Sequence, residues 1–155
     1  PYKKSHDTPN LLRSTVVLSR QKNLAGLKHL NRLEQVIAAQ KITNTNYTDA
    51  IMCDEDGYVI ETISKNIIFI KNNKIYSPKL SKSGVYGVAL RWLQLQGHEI
   101  NWKKIEYHKL PKYHGMMVCN SVQGFSSVNN IDGNIYFEEK MKIVEKIKSQ
   151  WASRC

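Results

Sequence analysis

Residues 23–36, NLAGLKHLNRLEQV, link an apolar strand-like run to the start of a helix, and they decide the fold. Within this stretch Lys28 has mostly apolar neighbours, among them Leu24, Leu27 and Leu30. An ammonium group is costly to desolvate, so such a lysine either extends its stem to solvent or takes part in chemistry. Functional groups of α/β proteins are often found where a strand passes into a helix. Lys28 is therefore the first candidate functional residue.

The segments on either side of Lys28 carry local structural signals. Residues 14–19, STVVLS, are β-branched and apolar, and they predict a short buried strand. Asn31 and Glu34 have the spacing of a capping box, with Asn31 as N-cap and Glu34 at the third helical position. We expect a helix over residues 32–41, because apolar residues recur there at helical spacing, namely Leu30, Leu33, Val36 and Ile37.

Residues 50–78 are rich in strand-forming segments. The turn DEDG, residues 54–57, separates AIMCD from YVIET, and Asn72 and Asn73 separate NIIFI from KIYSP. Glycine, aspartate and asparagine in such positions favour tight turns. The pattern predicts two consecutive hairpins in an antiparallel sheet.

The remaining chain alternates between helical and strand patterns. Residues 84–97 predict a helix that glycines open and Gly97 caps, while residues 98–108 and 116–120 predict strands. Near the end, apolar side chains at helical spacing predict a helix that docks on the core: Phe137, Met141, Val144, Ile147 and Trp151. Without repeats or linkers, these patterns predict one mixed α/β domain over residues 1–155.

The charge of the chain permits two classes of partner. Its 155 residues carry 23 Lys+Arg against 13 Asp+Glu, a formal net charge of +10. Such a balance suits nucleic acid, and it equally suits small anionic molecules. Because the lysines are scattered, we expect no nucleic-acid partner. We also expect no membrane partner, since no apolar run approaches the roughly 20 residues that span a bilayer.

Cysteine and histidine usage indicates neither a disulfide framework nor a metal site. Cys53, Cys119 and Cys155 are widely spaced and form no CxxC pair, and the five histidines lack zinc-ligand spacing with them. The chain opens with PYKKSHDTPN, without an initiator Met or a signal peptide. We expect a cytoplasmic protein without metal, from which N-terminal residues were removed or are not represented.

Three further positions could act together with Lys28. Glu61 ends YVIE. Its carboxylate could lie against the pyridine nitrogen of a bound cofactor, or it could be a surface carboxylate at a hairpin edge. Residues 84–89, GVYGVA, could bind phosphate through backbone N–H groups at a helix start, although glycines precede many helices. Asn120 and Ser121 could donate to a phosphate or form an ordinary turn. Alone, these residues indicate an α/β domain with a candidate phosphate site.

Taken in order, the same segments resemble the aminodeoxychorismate lyases, class IV aminotransferase-like enzymes of fold type IV that use pyridoxal 5'-phosphate (PLP). The resemblance rests on AGLKHLNRLEQV, ETISKN, GVYGVALRW and CNSVQG, which begin at residues 25, 61, 84 and 119. The first form is typical of the lyases, and the others are shared with branched-chain and D-amino-acid aminotransferases. The resemblance implies the C-terminal domain of such an enzyme, a strand-rich pseudo-barrel flanked by helices, with the family's N-terminal domain absent from this chain.

The resemblance also implies a role for each candidate residue. Lys28 corresponds to the lysine that binds PLP covalently, Glu61 to the partner of the pyridine nitrogen, and Asn66 to a structural asparagine. The phosphate would be held by the backbone N–H groups of Val88 and Ala89 and by the loop with Asn120 and Ser121.

The implied activity is conversion of 4-amino-4-deoxychorismate to 4-aminobenzoate and pyruvate in folate biosynthesis, by a homodimer acting on a small-molecule substrate. Two alternatives stay open: a class IV aminotransferase acting on D- or branched-chain amino acids, and a catalytically silent basic fragment. In the family, the N-terminal domain supplies an arginine to the phosphate and residues to the substrate carboxylates. We therefore expect the isolated chain to bind PLP weakly and not to turn over.

Overall fold

Strands dominate residues 9–154, the part of the chain that this computed structural model describes. The strands are β1 Leu11–Leu18, β2 Asp49–Asp54, β3 Val59–Thr62, β4 Asn66–Lys71, β5 Lys74–Pro78, β6 Ile100–Lys103, β7 Gly115–Asn120, β8 Gly124–Val128, β9 Asn130–Ile131 and β10 Ile135–Tyr136. The helices are α1 Leu33–Ile42, α2 Val88–Leu95 and α3 Lys142–Ala152, with a 3-10 helix over Tyr107–Lys112.

The strands form two five-stranded sheets, in the orders β10-β9-β1-β2-β3 and β6-β5-β4-β7-β8. The predicted hairpins exist as β2–β3 and β4–β5, but they lie in different sheets, so the expected single antiparallel sheet is wrong. Each hairpin has a parallel neighbour, because β1 pairs with β2 and β5 pairs with β6. Parallel neighbours need a long crossover, and α1 and α2 provide it.

The two sheets and three helices form four layers that share three apolar clusters. The cluster between the sheets contains Leu11 and Ile51 of the first sheet and Phe69 and Val118 of the second. A second cluster joins the other face of the second sheet to α2 and α3, and a smaller one joins the first sheet to Ala38 of α1. The predicted mixed α/β class is confirmed.

The start of α1 differs from the capping-box prediction. The N-cap position is Arg32, without a side-chain cap, and the Asn31 side-chain amide donates to Oε1 of the Gln21 side chain at 3.1 Å. Glu34 instead accepts from the backbone N–H of Ser19 at 3.1 Å and from its hydroxyl. Both predicted capping residues therefore bind the preceding segment, and contacts distant in sequence replace the local cap.

The apolar side chains that predicted α1 point away from the core. Leu30 is fully exposed, Leu33 is 67% exposed and Val36 is 52% exposed. The buried positions of the helix are Gln35 and Ala38. The helix exists as predicted, but its apolar stripe faces outward and a polar side chain is buried.

The second half of the chain follows the sequence pattern more closely. Val144 and Ile147 of α3 are buried against the second sheet, which confirms the predicted docking face, while Phe137 precedes the helix and packs between the sheets. Helix α2 ends at Leu95, and Gly97 follows with φ +83°. Of the strand expected over residues 98–108, only Ile100–Lys103 forms.

Candidate functional site

A pocket of about 130 Å³ opens where β3, β7 and the segments before α1 and α2 come together. Five of the six predicted site residues line it: Lys28, Glu61, Val88, Asn120 and Ser121. The sixth, Ala89, follows Val88 in α2, and its side chain is buried in the core beside the second sheet. The structure thus brings together residues that are more than 90 positions apart in the sequence.

Glu61 is the buried acid of this pocket, with only 3% of its surface exposed. Its Oε2 accepts from the backbone N–H of Val85 at 2.9 Å, and its Oε1 accepts from the Gln35 side-chain amide at 3.2 Å. Burial raises the pKa of the Glu61 carboxyl, while the Val85 N–H, the Arg32 charge and the Gln35 amide oppose that rise. The structure therefore contradicts the alternative of a surface carboxylate.

Backbone hydrogen bonds connect residues 23–31, here called the Lys28 segment, to the loop that precedes α2. The Gly26 N–H donates to the Gly84 carbonyl at 2.8 Å, and the Tyr86 N–H donates to the Gly26 carbonyl at 2.9 Å. Gly26 and Gly84 both have positive φ, +80° and +84°, a conformation that glycine adopts without strain. The two glycines allow the Lys28 segment and the α2 entry to share one edge of the pocket.

Asn66 fixes the start of α2 at the pocket. Its side-chain amide donates to the Val85 carbonyl at 2.6 Å, and its Oδ1 accepts from the Gly87 N–H at 3.1 Å. A Cβ on Gly87 would come within 2.3 Å of that same Oδ1, so only glycine fits there. The first-turn N–H groups of α2 have no acceptors within the helix, and they create a positive site at the pocket.

Asn120 shapes the turn that carries Ser121. Its Oδ1 accepts from the backbone N–H groups of Val122 and Gln123 at 3.1 and 2.7 Å. Its amide lies 3.4 Å from the Ser64 carbonyl oxygen. The Asn120 side chain thus forms the turn that the sequence left open as an alternative, and Ser121 lies exposed at the pocket edge.

Lys28 is exposed, and so are Leu27 and Leu30, while Leu24 is half-buried. Leu27 has 54% of its surface exposed and Leu30 all of it. Within residues 9–154 the apolar sequence neighbours of Lys28 therefore do not bury its side chain. Lys28 instead lies at the open side of the pocket, together with apolar side chains that no part of residues 9–154 covers.

Two cations at the pocket were missed from the sequence. The Arg32 guanidinium donates to the Ile63 carbonyl at 2.7 Å, and Lys65 forms a salt bridge with the buried Asp49 at 2.8 Å. Both line the pocket together with Lys28. Their spacing from Lys28 and Glu61 was the available signal, since each follows a predicted site residue by four positions. Three cations around one pocket favour an anionic ligand.

Metal-binding and membrane-spanning features were searched for in residues 9–154. No group of three His, Cys, Asp or Glu side chains in this range is arranged to hold a metal ion. None of its helices is both long enough and apolar enough to cross a membrane. His6 and Cys155, which belong to the histidine and cysteine sets considered above, lie outside the described residues.

Residues 1–131 match the protein family described as Amino-transferase class IV. The chain belongs to this family. Among curated class IV relatives, aminodeoxychorismate lyase of Vibrio harveyi is 36% identical over 118 residues, which are 74% of this chain and 44% of that protein. The predicted class IV resemblance is confirmed.

Solved structures agree with this family assignment. The 4-amino-4-deoxychorismate lyase of Pseudomonas aeruginosa superposes with a TM-score of 0.85 at 26% identity, covering 94% of this chain and 55% of that one. The branched-chain amino acid aminotransferase of Escherichia coli superposes at 0.84 with 15% identity, covering 99% and 54%. The second match shows the fold alone. The chain spans about half the length of the class IV relatives it matches.

Gly84→Ala is expected to destabilise the protein far more than Gly57→Ala. Both glycines have positive φ, but a Cβ at Gly84 would lie 2.6 Å from Ile60 and 2.8 Å from Leu80, whereas nothing lies within 4 Å of one at Gly57. Backbone strain alone costs about 1–2 kcal/mol, and forced contacts add about 1–3 kcal/mol. Urea unfolding should show the larger loss for Gly84→Ala, and equal losses would contradict the packing described.

Proposed function

We propose that this chain is the PLP-binding part of a lyase that converts 4-amino-4-deoxychorismate to 4-aminobenzoate and pyruvate in folate biosynthesis. One observation carries the proposal: a single pocket combines a lysine amine, a buried carboxylate and a helix N-terminus. The similarity to the Vibrio harveyi aminodeoxychorismate lyase supports the choice of reaction.

The donor set of the pocket fits PLP. PLP presents an aldehyde, a pyridine nitrogen and a phosphate, and the pocket offers an amine, a carboxylate and an anion-binding helix start. Residue 87 has to be glycine, because a Cβ at this position would collide with the Asn66 side chain. The start of α2 is therefore free of a side chain at this position. We assign Lys28 to the aldehyde, Glu61 to the pyridine nitrogen, and the N–H groups of Val88 and Ala89 to the phosphate.

The turn after β7 is assigned to the other side of the phosphate. The Ser121 hydroxyl is the proposed donor, and Asn120 holds the turn that presents it. Lys28, Arg32 and Lys65 add positive charge around the same pocket. An anion of the size and charge of a phosphate is therefore stabilised from more than one direction.

When bound, PLP supplies an electron sink for negative charge that develops at the carbon bearing the substrate nitrogen. With PLP bound, Lys28 would hold the cofactor through its amine and would serve as the base for the proton on that ring carbon. The Glu61 carboxylate keeps the proton on the pyridine nitrogen, where electron density collects. The ring would become aromatic as its bond to the side-chain oxygen breaks, and the enolpyruvate that leaves would take up a proton to give pyruvate.

We propose that the remaining half of the enzyme is an N-terminal domain that completes this pocket. The class IV relatives are about twice as long as this chain, and apolar side chains lie exposed around the site, among them Leu27, Val88 and Val122. The domain would exclude water from Lys28 and supply groups for the substrate carboxylates. The 155-residue chain alone is then expected to bind PLP weakly and not to turn over.

We further propose that the full-length protein is a cytoplasmic homodimer, as the class IV resemblance implies. Cys53 and Cys119 are free and buried, which suits a reducing compartment. Sedimentation equilibrium of the full-length protein should give twice the monomer mass, and a monomer at micromolar concentration would contradict the dimer.

The products distinguish the lyase from a class IV aminotransferase, the second candidate, which the shared fold with the Escherichia coli enzyme keeps open. We expect the full-length protein with PLP to release pyruvate and 4-aminobenzoate from 4-amino-4-deoxychorismate without any amino acceptor. Transfer of an amino group from branched-chain or D-amino acids to a keto acid, without pyruvate release, would favour the aminotransferase. A protein that does neither, but binds nucleic acid with a steep salt dependence, would be the basic fragment.

A further inference from the structure

Behind Glu61, on the side of α1, lies a second and smaller cavity of about 20 Å³. Glu61, Arg32 and Val85 line both this cavity and the larger pocket, so the two cavities adjoin at these residues. The small cavity is also lined by Gln35 of α1, Ser83 of the loop before α2, and His29 of the Lys28 segment. Three structural elements thus meet at the rear of the carboxylate.

The lining of the small cavity contains polar atoms without partners. Within residues 9–154, Gln35 Oε1, Ser83 Oγ and His29 Nδ1 are buried and have no hydrogen-bond partner. Burying such an atom unpaired costs about 1–3 kcal/mol. A cavity of this size holds one water, and a buried water needs two to four polar partners. The residues that carry these three atoms all line the cavity, as a shared water would require.

Gln35 connects this cavity to the carboxylate. Its Nε2 donates to Glu61 Oε1 at 3.2 Å, while its Oε1 is the unpaired atom. If the amide turned over, its oxygen would face the carboxylate oxygen and repel it. A water that donates to Gln35 Oε1 would therefore keep the N–H side of the amide towards Glu61.

We propose that Gln35, anchored by one buried water shared with Ser83 and His29, is a positioning residue that orients the Glu61 carboxylate towards the large pocket. The proposal rests on the proposed function only in that the pocket side of Glu61 would face the pyridine nitrogen. The arrangement explains why a glutamine occupies a buried position of α1 while leucines lie exposed. It also assigns a role to a residue of NLAGLKHLNRLEQV that does not line the large pocket.

Groups of both charges surround Glu61. The effect of the Gln35 hydrogen bond on proton binding by Glu61 therefore has to be separated from theirs by substituting Gln35. The charged and titratable groups that face Glu61 or line the two cavities beside it are Lys28, His29, Arg32, Glu34, Asp49, Lys65, Tyr86 and Cys119. None of them is changed when Gln35 is replaced by methionine, which has a similar shape but no donor. Gln40→Met is the matched control, because Gln40 lies exposed on the same helix.

The test is a carboxyl ¹³C titration of Glu61 in the full-length protein purified without PLP, with the signal assigned through Glu61→Gln. Removing a hydrogen bond to a charged group is expected to make proton binding by Glu61 about tenfold tighter in Gln35→Met. Gln40→Met should titrate as the wild type does. An unchanged midpoint in a folded Gln35→Met would overturn the proposal.

A second measurement needs no substitution and covers the case in which Gln35→Met fails to fold. The side-chain amide ¹⁵N and ¹H signals of Gln35 in the wild type should shift with pH at the Glu61 midpoint and show a cross-relaxation peak to a long-lived water. Gln35 amide signals that do not shift with pH, or that show no cross-relaxation peak to a long-lived water, would contradict the proposed water-anchored Gln35. Because both experiments use the cofactor-free protein, they can succeed even if PLP proves to be the wrong cofactor.

Discussion

Lys28→Ala is expected to abolish turnover of 4-amino-4-deoxychorismate by the full-length protein. The proposal gives the Lys28 amine two tasks, holding the cofactor aldehyde and moving the proton of the substrate ring carbon. General acid–base catalysis alone contributes about 10²–10⁴-fold, so loss of both tasks should exceed 10³-fold. Pyruvate release, followed continuously with a coupled dehydrogenase, provides the measurement.

Lys22→Ala is the matched control for this experiment. Lys22 is an exposed lysine six residues before Lys28, and it lines none of the cavities described above. Its replacement should leave turnover unchanged. Lys28 is exposed in the 155-residue chain, so Lys28→Ala and Lys22→Ala of that chain should unfold at the same temperature. A loss of activity in the full-length Lys28→Ala protein then reports chemistry and not misfolding. A Lys28→Ala protein that releases pyruvate at the normal rate would contradict the assignment.

Glu61→Gln is expected to lower turnover and to raise the stability of the cofactor-free protein. Without its charge, residue 61 cannot hold the pyridine nitrogen protonated, and loss of such a preorganised electrostatic partner costs on the order of 10²–10³-fold in kcat. The neutral amide nonetheless fits the site, because it can accept from the Val85 N–H while the Gln35 amide turns to accept from it.

The stability effect of Glu61→Gln has a defined pH dependence. Burial raises the pKa of Glu61 above its ordinary value of 4.5, so the folded protein keeps this proton to higher pH than the unfolded chain. The wild type therefore loses stability as pH rises through that interval, and Glu61→Gln does not. The gap between their melting temperatures should grow from pH 4 towards pH 8 when PLP is absent. A gap that shrinks over this range would show that the folded state favours the ionised carboxylate.

The sequence predicted most of the site because the relevant residues lie at the ends of well-patterned elements. Glu61 lies one residue before the end of β3, Asn120 ends β7, and Val88 begins α2. The two strands belong to different sheets, and the pocket lies where both sheets and the start of α2 meet. Glycines at 84 and 87 marked the close approach before α2. Local patterns named these residues as candidates, because each stood near a recognisable strand or helix boundary. The resemblance to the aminodeoxychorismate lyases was needed to assign them to one site.

Local patterns failed where contacts distant in sequence decide the structure. Two hairpins in succession gave no sign that the chain changes sheets between Thr62 and Asn66. Asn31 and Glu34 had the spacing of a cap, but Gln21 and Ser19 bind them instead. The apolar stripe of a helix does not indicate which part of a protein packs against it. For α1, no part of residues 9–154 covers the stripe.

The most direct test of the proposed cofactor site is borohydride reduction of the full-length protein incubated with PLP, followed by peptide mass mapping. The account predicts one reduced pyridoxyl adduct, on the peptide that contains Lys28, and much weaker labelling of the 155-residue chain treated in parallel. An adduct confined to another lysine of the full-length protein, or none at Lys28, would contradict the assignment of this pocket to PLP.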